Sequence, residues 1–276
     1  MNRYLQVLKR QKHPIKFIIM KLLFKSKLSN LFKIRRENYI LRFYPSSLSC
    51  ELWVDSKARQ SAERFFQDYL YSGDKVIDVG ANIGTLTLEA AIKVGNSGKV
   101  FSIEAHPRVF KYLQGNIKLN QLKNIQTFNI AIGNENRKVV FSDIRADDRN
   151  FISQDNIGIK INMARLDDLL INESEIALMK IDTEGYEKFV LEGGERTLKK
   201  TKCVYFESWD THFEKYDYTS ADVCKILWNN SFEIYKIIGE KTISQMTRGH
   251  RSNKRENLLA IRNLDNFQKR TGIKIM

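Results

Sequence analysis

The stretch that most constrains the fold of this chain is residues 75–88. A short apolar run ends in the carboxylate of Asp78, a turn containing Gly80 and Gly84 follows, and an amphipathic helix begins. This order predicts a strand, a tight turn and a helix, which together bring backbone close to a bound ligand. Ordinary turns between a strand and a helix also contain glycine, so the motif alone does not establish a ligand site.

The composition of the turn separates two nucleotide cofactors. A dinucleotide fingerprint, G-x-G-x-x-G, aims backbone amides at a pyrophosphate, but this turn has Asn82 in the second glycine position. A carboxylate at the mouth of the turn, Asp78, repels a diphosphate and suits a cation. S-adenosylmethionine carries a sulfonium and an ammonium group and no phosphate. The turn therefore favours S-adenosylmethionine over NAD.

A second predicted strand ends in Glu104, 20 residues after Gly84. This is the usual distance to a carboxylate that accepts hydrogen bonds from a ribose diol. The alternative is a solvated residue at a strand end. Both cofactors contain a ribose, so Glu104 supports a nucleotide cofactor without separating the two.

From residue 75 onward, predicted strands and helices alternate, which is typical of an α/β fold with a mostly parallel sheet and right-handed crossovers. We predict a Rossmann-like sheet of seven strands, the last one antiparallel, with helices on both faces. Residues 39–54 are predicted to form short strands before this sheet. The seven predicted strands are residues 76–79, 100–103, 126–130, 177–181, 203–206, 233–238 and 258–261.

A second motif, residues 178–194, places Asp182, Glu184 and Glu187 between an apolar strand and a short helix. Ligands of open α/β sheets bind at the carboxyl ends of the strands, so acids at strand ends should converge on one edge. Such acids can instead cap a helix or offset its positive N-terminus. We favour that interpretation for Glu187 and a role in the site for Asp182. The acids expected at the edge are Asp78, Glu104, Asp182 and Glu207.

Together, residues 76–84 and 180–187 resemble the FkbM-type family of S-adenosylmethionine-dependent methyltransferases, over roughly residues 74–240. The resemblance implies the class I methyltransferase fold. It places Asp182 and Glu184 beside the transferred methyl group, and family members usually methylate oxygen atoms of natural products or glycans. The expected cofactor-binding residues are Asp78, Gly80, Ala81, Asn82, Gly84, Glu104, Ala105 and Asp182.

A sugar hydroxyl is a weak nucleophile, so a base or a metal should help to remove its proton. Asp182 is the first candidate for either role, with Glu184 or Glu207 in support. His212 follows the predicted fifth strand and is an alternative base. No histidine and carboxylate stand at metal-ligand spacing in the sequence. A divalent metal therefore stays an open possibility, with Asp182 as its candidate ligand.

The basic segment 239–256 should follow strand 233–238 at the ligand edge of the sheet. We expect Arg248, His250 and Arg251, together with Glu207, to contact the acceptor and to favour an acidic or phosphorylated glycan. The alternative is a solvated basic hairpin.

The chain carries a net charge of +14, and residues 1–44 contribute +11 of it, with twelve basic residues against Glu37 alone. We therefore divide the chain into a basic, apolar arm (residues 1–44) and a methyltransferase domain (residues 45–276). Lys21 interrupts the apolar run of the arm, which excludes a membrane span. We expect peripheral contact with an acidic membrane surface; the alternative is a helix packed on the domain with its lysines outward.

The three scattered cysteines, with no C-x-x-C pair, predict a reducing compartment and hence a cytoplasmic location, with the arm at the inner membrane face. The predicted function is an O-methyltransferase for a saccharide hydroxyl, in surface-glycan biosynthesis. A natural-product O-methyltransferase would share every motif. A nucleic-acid methyltransferase is not expected, because the carboxylates would repel a phosphate chain. The remaining alternative is a non-catalytic nucleotide-binding scaffold.

Overall fold

The computed structural model describes residues 13–144, 150–155, 157–170 and 173–276. The helices are α1 (Pro14–Lys25), α2 (Ser47–Val54), α3 (Gln60–Tyr69), α4 (Thr85–Val94), α5 (Pro107–Leu119), α6 (Leu166–Leu169), α7 (Glu187–Glu192), α8 (Glu195–Lys199), α9 (Asp210–Phe213), α10 (Ser220–Asn229) and α11 (Leu264–Thr271). Short 3₁₀ turns lie at Ser29–Leu31 and Glu214–Tyr216. The first strands are β1 (Lys33–Arg35), β2 (Ile40–Arg42), β3 (Lys75–Val79), β4 (Lys99–Ile103), β5 (Ile125–Phe128), β6 (Ala131–Ile132), β7 (Arg137–Phe141) and β8 (Ile159–Ala164). The later strands are β9 (Ile176–Ile181), β10 (Thr201–Ser208), β11 (Glu233–Gly239), β12 (Thr242–Gln245), β13 (Glu256–Ile261) and β14 (Lys274–Ile275).

The central sheet has the strand order β14-β12-β11-β13-β10-β9-β3-β4-β5. Strands β5, β4, β3, β9 and β10 are parallel, whereas β13 runs antiparallel to both of its neighbours, β10 and β11. This confirms the predicted Rossmann-like α/β fold and all seven predicted strands. The carboxyl ends of the parallel strands meet at one edge, and there β13 begins.

The predicted number of strands in the sheet is wrong, because the described part of the sheet has nine. After β11 the chain folds back as β12, and β14 then pairs with β12. Both added strands are short and polar, so their sequence carries no clear alternation of apolar and polar residues. They form because the outer edge of β11 offers unpaired backbone groups.

Helices cover both faces of the sheet, as predicted. One face packs against α3, α4 and α11 through side chains such as Phe66, Ala90 and Phe267. The other face packs against α8 and α10 through side chains such as Leu198 and Leu227. Every residue of β9 is buried. A strand that is covered on both faces reads as a continuous apolar run, which makes the one charged residue of β9, Lys180, conspicuous.

The described part of the N-terminal segment packs on the domain. Met20 of α1 and Leu41 of β2 share a buried cluster with Ile83 and Val109. The prediction of strand for residues 50–54 is wrong. These residues belong to α2, which begins after Ser46, whose side chain accepts a hydrogen bond from the Ser49 N–H. The domain boundary at residue 44 stays a prediction, and residues 1–12 of the arm lie outside the described residues.

Candidate active site

The turn between β3 and α4 touches the end of β9. Gly80 has a φ of +80°, and a Cβ at this position would lie 1.8 Å from the Asp182 carbonyl oxygen. The Asp182 N–H donates to the carbonyl oxygen of Val79 at 3.1 Å. Glycine is therefore required at position 80 by both backbone conformation and space. This contact brings the first motif of the sequence against the second.

Asp78 is buried under the turn and its charge is balanced within the protein. The Thr87 hydroxyl donates to Asp78 Oδ2 at 2.6 Å, and Lys180 Nζ lies 3.2 Å from Asp78 Oδ1. Lys180 also donates to the carbonyl oxygen of Gly80 at 2.7 Å. Lys180 is thus one cation that Asp78 faces, and contact of Asp78 with a ligand cation stays a prediction. Burial lowers the pKa of Lys180, but Asp78 and Asp182 outweigh burial and hold that pKa above its usual value.

Glu104 lies at the end of β4 with its carboxylate fixed by backbone donors. Its two oxygens accept hydrogen bonds from the N–H groups of Asn82 and His106, both at 2.8 Å. A carboxylate offers about four acceptor positions, so the predicted hydrogen bonds to a ribose diol are compatible with these two. Glu104 thus links the turn after β3 to the segment after β4.

One cavity at the carboxyl edge of the sheet joins the two motifs. The predicted residues that line it are Asp78, Gly80, Ala81, Asn82, Glu104, Ala105, Asp182 and Glu184. Gly84 does not line it: this residue has a φ of +95° and forms the N-cap of α4. Glu207 and His212 lie behind the lining residues, in contact with Glu184 or its partners. The turn and both strand ends therefore meet in a single space, as the sequence predicted.

Several residues that line the cavity lie outside both sequence motifs. Polar examples are Arg59, Asn150, Tyr205, Arg255 and Asn257. Arg255 and Asn257 flank the start of β13, where Asn257 pairs in register with Glu207. The predicted antiparallel direction of this strand was an available signal, because such a strand begins at the edge where the parallel strands end.

Four charged or titratable side chains converge at the end of the cavity near Asp182. Glu184, at a φ of +55°, has Oε2 3.2 Å from His212 Nδ1 and Oε1 3.3 Å from Arg255 Nη2. Glu207 has Oε2 3.8 Å from the same His212 nitrogen, and its Oε1 accepts a hydrogen bond from Arg255 Nε. Each carboxylate thus faces the arginine with one oxygen and the histidine with the other. A non-glycine residue at positive φ stores strain, which clusters at functional sites.

The pKa values of Glu184 and Glu207 lie well above the ordinary glutamate value. Burial is the largest cause for both groups, and the nearby Asp182 carboxylate adds to it. Arg255 lowers the pKa of both groups, but by less than burial and Asp182 raise it. In its ionised form, a carboxyl group with a raised pKa is a stronger base than an ordinary carboxylate, and the ionised fraction grows as the pH rises towards that pKa. This end of the cavity can therefore accept a proton.

Three of the four side chains that converge here satisfy the spacing of a metal site. Among the described residues, Glu184, Glu207 and His212 each offer a ligand atom, and these atoms lie within 4.8 Å of one another. The sequence showed no such pair because the fold brings the residues together from the ends of β9 and β10 and from α9. Two carboxylates and one imidazole suit several divalent ions.

Glu187 lies outside this group, in line with the interpretation favoured from sequence. Its Oε1 accepts hydrogen bonds from the backbone N–H of Thr183 at 2.7 Å and from the Thr183 hydroxyl at 3.1 Å. Burial raises the pKa of Glu187 to about 7. Its contacts thus order the start of α7.

The predicted acceptor-binding residues of the basic segment lie away from the cavity. Arg248 lies over the Trp228 ring at 5.8 Å, His250 Nε2 is 2.6 Å from Glu256 Oε1, and Arg251 Nε donates to Asp210 Oδ2 at 2.7 Å. The hairpin of β12 carries the chain along the edge of the sheet, and the segment then returns against α9 and α10. Arg255 is the residue of this segment whose side chain reaches the cavity. Contact of the other three with an acceptor stays a prediction.

Comparison with known proteins gives a consistent result. A family model described as the methyltransferase FkbM domain matches residues 78–234. The chain is 41% identical over 54 residues to the probable cobalt-precorrin-6B C(15)-methyltransferase (decarboxylating) of Saccharolobus solfataricus, covering 19% of this chain and 27% of that protein. It is 32% identical over 68 residues to the protein-L-isoaspartate O-methyltransferase of Caenorhabditis elegans, covering 25% of this chain and 30% of that protein. The chain thus matches less than a third of the length of these curated relatives. A putative rRNA-methylase from Clostridium thermocellum superposes with a TM-score of 0.46 at 11% identity, covering 73% of this chain and 93% of that chain.

Proposed function

The chain belongs to the FkbM-domain family and is an S-adenosylmethionine-dependent methyltransferase, and we propose that it methylates a hydroxyl oxygen of a saccharide. The observation that carries this acceptor class is the carboxylate-rich end of the cavity, where Asp182 and Glu184 line the space. Sugar hydroxyls donate hydrogen bonds, and carboxylates only accept them. A phosphate chain is disfavoured at the same position, because its phosphates and a carboxylate of the cavity would both carry negative charge.

The residues of the other end suit the nucleoside part of S-adenosylmethionine. Glu104 would accept hydrogen bonds from the ribose hydroxyls, and Gly80 lets the turn backbone approach closely. Ala105, Ile130 and Ala131 offer an apolar wall beside Glu104 for the adenine ring. Asp182, at the boundary between the two ends, would meet the positively charged methionine part. The bound cofactor supplies a methyl group on a sulfonium leaving group.

The protein's own task is then to align the acceptor oxygen and to take up its proton. The Glu184 carboxylate, in its ionised form, would take up the proton of the acceptor hydroxyl as that oxygen is methylated. Arg255 Nη2 donates to one oxygen of that carboxylate at 3.3 Å, and His212 Nδ1 lies 3.2 Å from the other oxygen. Holding the base in place converts a loose encounter into a fixed geometry. Asp182 has a positioning role in this account.

A divalent metal is a second candidate for activating the hydroxyl, favoured by the spacing of Glu184, Glu207 and His212. It would act as a Lewis acid on the acceptor oxygen. Arg255 faces one oxygen of each carboxylate, so the metal ligands would be the other oxygens and His212 Nδ1. Dialysis against EDTA separates the two candidates. Unchanged turnover supports proton transfer to Glu184, and a loss that Mn²⁺ or Mg²⁺ restores supports the metal.

The acceptor class is tested by incubating the full-length protein with methyl-labelled S-adenosylmethionine and separate cell fractions of glycan, RNA, protein and small molecules. We expect label in the glycan fraction and not in a parallel reaction with Glu184→Gln. The label should survive mild alkali, because methyl ethers resist hydrolysis and methyl esters do not. Label in RNA, in small molecules alone, or in an alkali-labile form would contradict a saccharide hydroxyl as the acceptor.

A further inference from the structure

Helix α1 has two apolar faces, and the described residues of the protein cover only one of them. Met20 is buried against the domain, with Phe17 and Phe24 packed beside it. The opposite face of α1 carries Ile15 and Leu22, which are 73% and 61% exposed. An isolated helix on a protein surface normally turns its apolar stripe inward and leaves its outer face polar. The outer face of α1 departs from that pattern.

The exposed apolar residues of α1 form a continuous stripe. They stand at the helical spacing i, i+3, i+4 and i+7, so at 100° per residue they fall within an arc of about 100°. The segment after α1 continues the apolar surface. Half of the large apolar side chains that are exposed among the described residues lie between Ile15 and Phe32. We call this set the docking face: Ile15, Ile18, Ile19, Leu22, Leu28, Leu31 and Phe32.

The docking face is bordered by positive charge. On α1, Lys16 lies on one side of the stripe, and Lys21 and Lys25 lie on the other side. Lys27, Lys33 and Arg35 follow, all exposed, and residues 13–36 contain no acidic residue. Arg36 is different, because it is buried in an ion pair with Glu63 at 2.6 Å. The charged residues that residues 13–35 place beside the docking face are therefore all cationic.

From this arrangement we infer that the docking face binds the surface of an anionic phospholipid bilayer. The isoleucine and leucine side chains would enter the boundary between headgroups and acyl chains, and the lysines would meet acidic headgroups. The helix lies on the membrane and does not cross it, since its 12 residues span about 18 Å of a hydrocarbon layer of about 30 Å. Among the described residues, no helix is long and apolar enough to span a bilayer.

Charge distinguishes a bilayer from a second copy of this chain. A symmetric dimer would press the same patch against itself, so two cationic borders would meet and repel each other. An anionic bilayer complements that border and also accepts the apolar stripe. The docking face lies close to the cavity, because α1 packs on α2 and Leu48 of α2 lines the cavity. In a docked protein, α1 and α2 would lie between the bilayer and this wall of the cavity.

Vesicle co-sedimentation of the full-length protein tests the inference. We expect binding to vesicles of phosphatidylcholine with about 30% phosphatidylglycerol, because the anionic lipid gives their surface a negative potential. We expect little binding to vesicles of phosphatidylcholine alone. Ile18→Gln with Leu22→Gln should weaken binding by at least about tenfold, because both side chains lose their apolar contact with the bilayer. Lys16→Glu with Lys25→Glu should weaken it by a similar factor.

Matched controls carry the same changes elsewhere on the surface. Ile92→Gln with Ile238→Gln alters two isoleucines that are 37% and 48% exposed, and Lys111→Glu with Lys118→Glu alters two exposed lysines of α5. Both controls should bind vesicles like the unchanged protein. Equal binding to neutral vesicles would overturn the inference, as would full binding by the Ile18 and Leu22 variant. A dimer in solution that this variant converts to monomer would assign the docking face to a second copy instead. Binding of S-adenosylmethionine by every variant shows that each is folded.

Discussion

The cavity has two ends, which we propose to bind the cofactor and the acceptor, and they are built in different ways. At the cofactor end, the polar groups come from residues 78–105, and Glu104 is held by two backbone N–H groups. At the acceptor end, Glu184, Glu207, His212 and Arg255 come from four separate elements or loops and hold one another. Backbone geometry therefore fixes the first end, and contacts among charged and titratable side chains fix the second. A change in one end should leave the other largely functional.

The largest effect should come from adding a methyl group where the two ends touch. Gly80→Ala places Cβ 1.8 Å from the Asp182 carbonyl oxygen, at a φ of +80°. The turn and the end of β9 must separate, so we expect loss of detectable S-adenosylmethionine binding and a free energy of unfolding lower by about 3 kcal/mol or more. Calorimetry and thermal unfolding measure both. Gly249→Ala is the control, because its Cβ would have no neighbour within 4 Å, and it should behave like the unchanged protein.

The next largest effect should be confined to turnover. Glu184→Gln removes the proton acceptor and keeps the shape of the side chain, so we expect kcat to fall by about 10²–10⁴-fold. The dissociation constant for S-adenosylmethionine should change by less than about twofold. Glu240→Gln, at an exposed glutamate that pairs with Arg64, should change neither value. A normal kcat for Glu184→Gln would show that Glu184 is not the base. It would also contradict the proposed separate roles of the two ends of the cavity.

A smaller effect is expected at the cofactor end from the matching change. Glu104→Gln removes the charged acceptor for the ribose and places an NH₂ group against the N–H of Asn82 or His106. We expect S-adenosylmethionine to bind about 10–100-fold more weakly, since hydrogen bonds to a charged group contribute about 1.5–3 kcal/mol. At saturating cofactor, kcat should recover. Unchanged affinity would contradict the ribose contact.

The smallest effect should come from the basic segment outside the cavity. Arg248→Ala removes a contact with the Trp228 ring, which is worth about 0.5–1 kcal/mol at an exposed site. Arg255→Met, in contrast, removes the cation shared by Glu184 and Glu207. We expect the acceptor KM to change by less than about twofold for Arg248→Ala, whereas Arg255→Met should lower kcat by at least about tenfold. A large rise in KM for Arg248→Ala would restore the acceptor contact predicted from sequence.

Most residues predicted to bind the cofactor do line the cavity, because they belong to short patterns that are local in the sequence. The turn at Gly80, the acid at Glu104 and the strand ending at Asp182 each follow from short patterns of glycine, carboxylate and β-branched residues. The order of those patterns was enough to predict the family and the main sheet. The helix α2 was missed because its composition is mixed. Its start is marked by a single feature, the Ser46 side chain that caps it.

The acceptor end was predicted only in part because its contacts are distant in sequence. Glu184 and His212 were both selected, but their pairing was not. Arg255 was passed over for Arg248 and Arg251, since no local pattern reveals which residue of a basic loop reaches the site. Lys180 was also missed, because one lysine in an apolar strand gives no sign of the carboxylate that balances it.

The separation of the two ends is tested most directly by calorimetric titration of S-adenosylmethionine into the unchanged protein, Glu104→Gln and Glu184→Gln. This measurement needs no knowledge of the acceptor. We predict that Glu184→Gln binds the cofactor like the unchanged protein and that Glu104→Gln binds it about 10–100-fold more weakly. Equal affinities for all three proteins, or a loss of binding in Glu184→Gln alone, would contradict the assignment of the two ends.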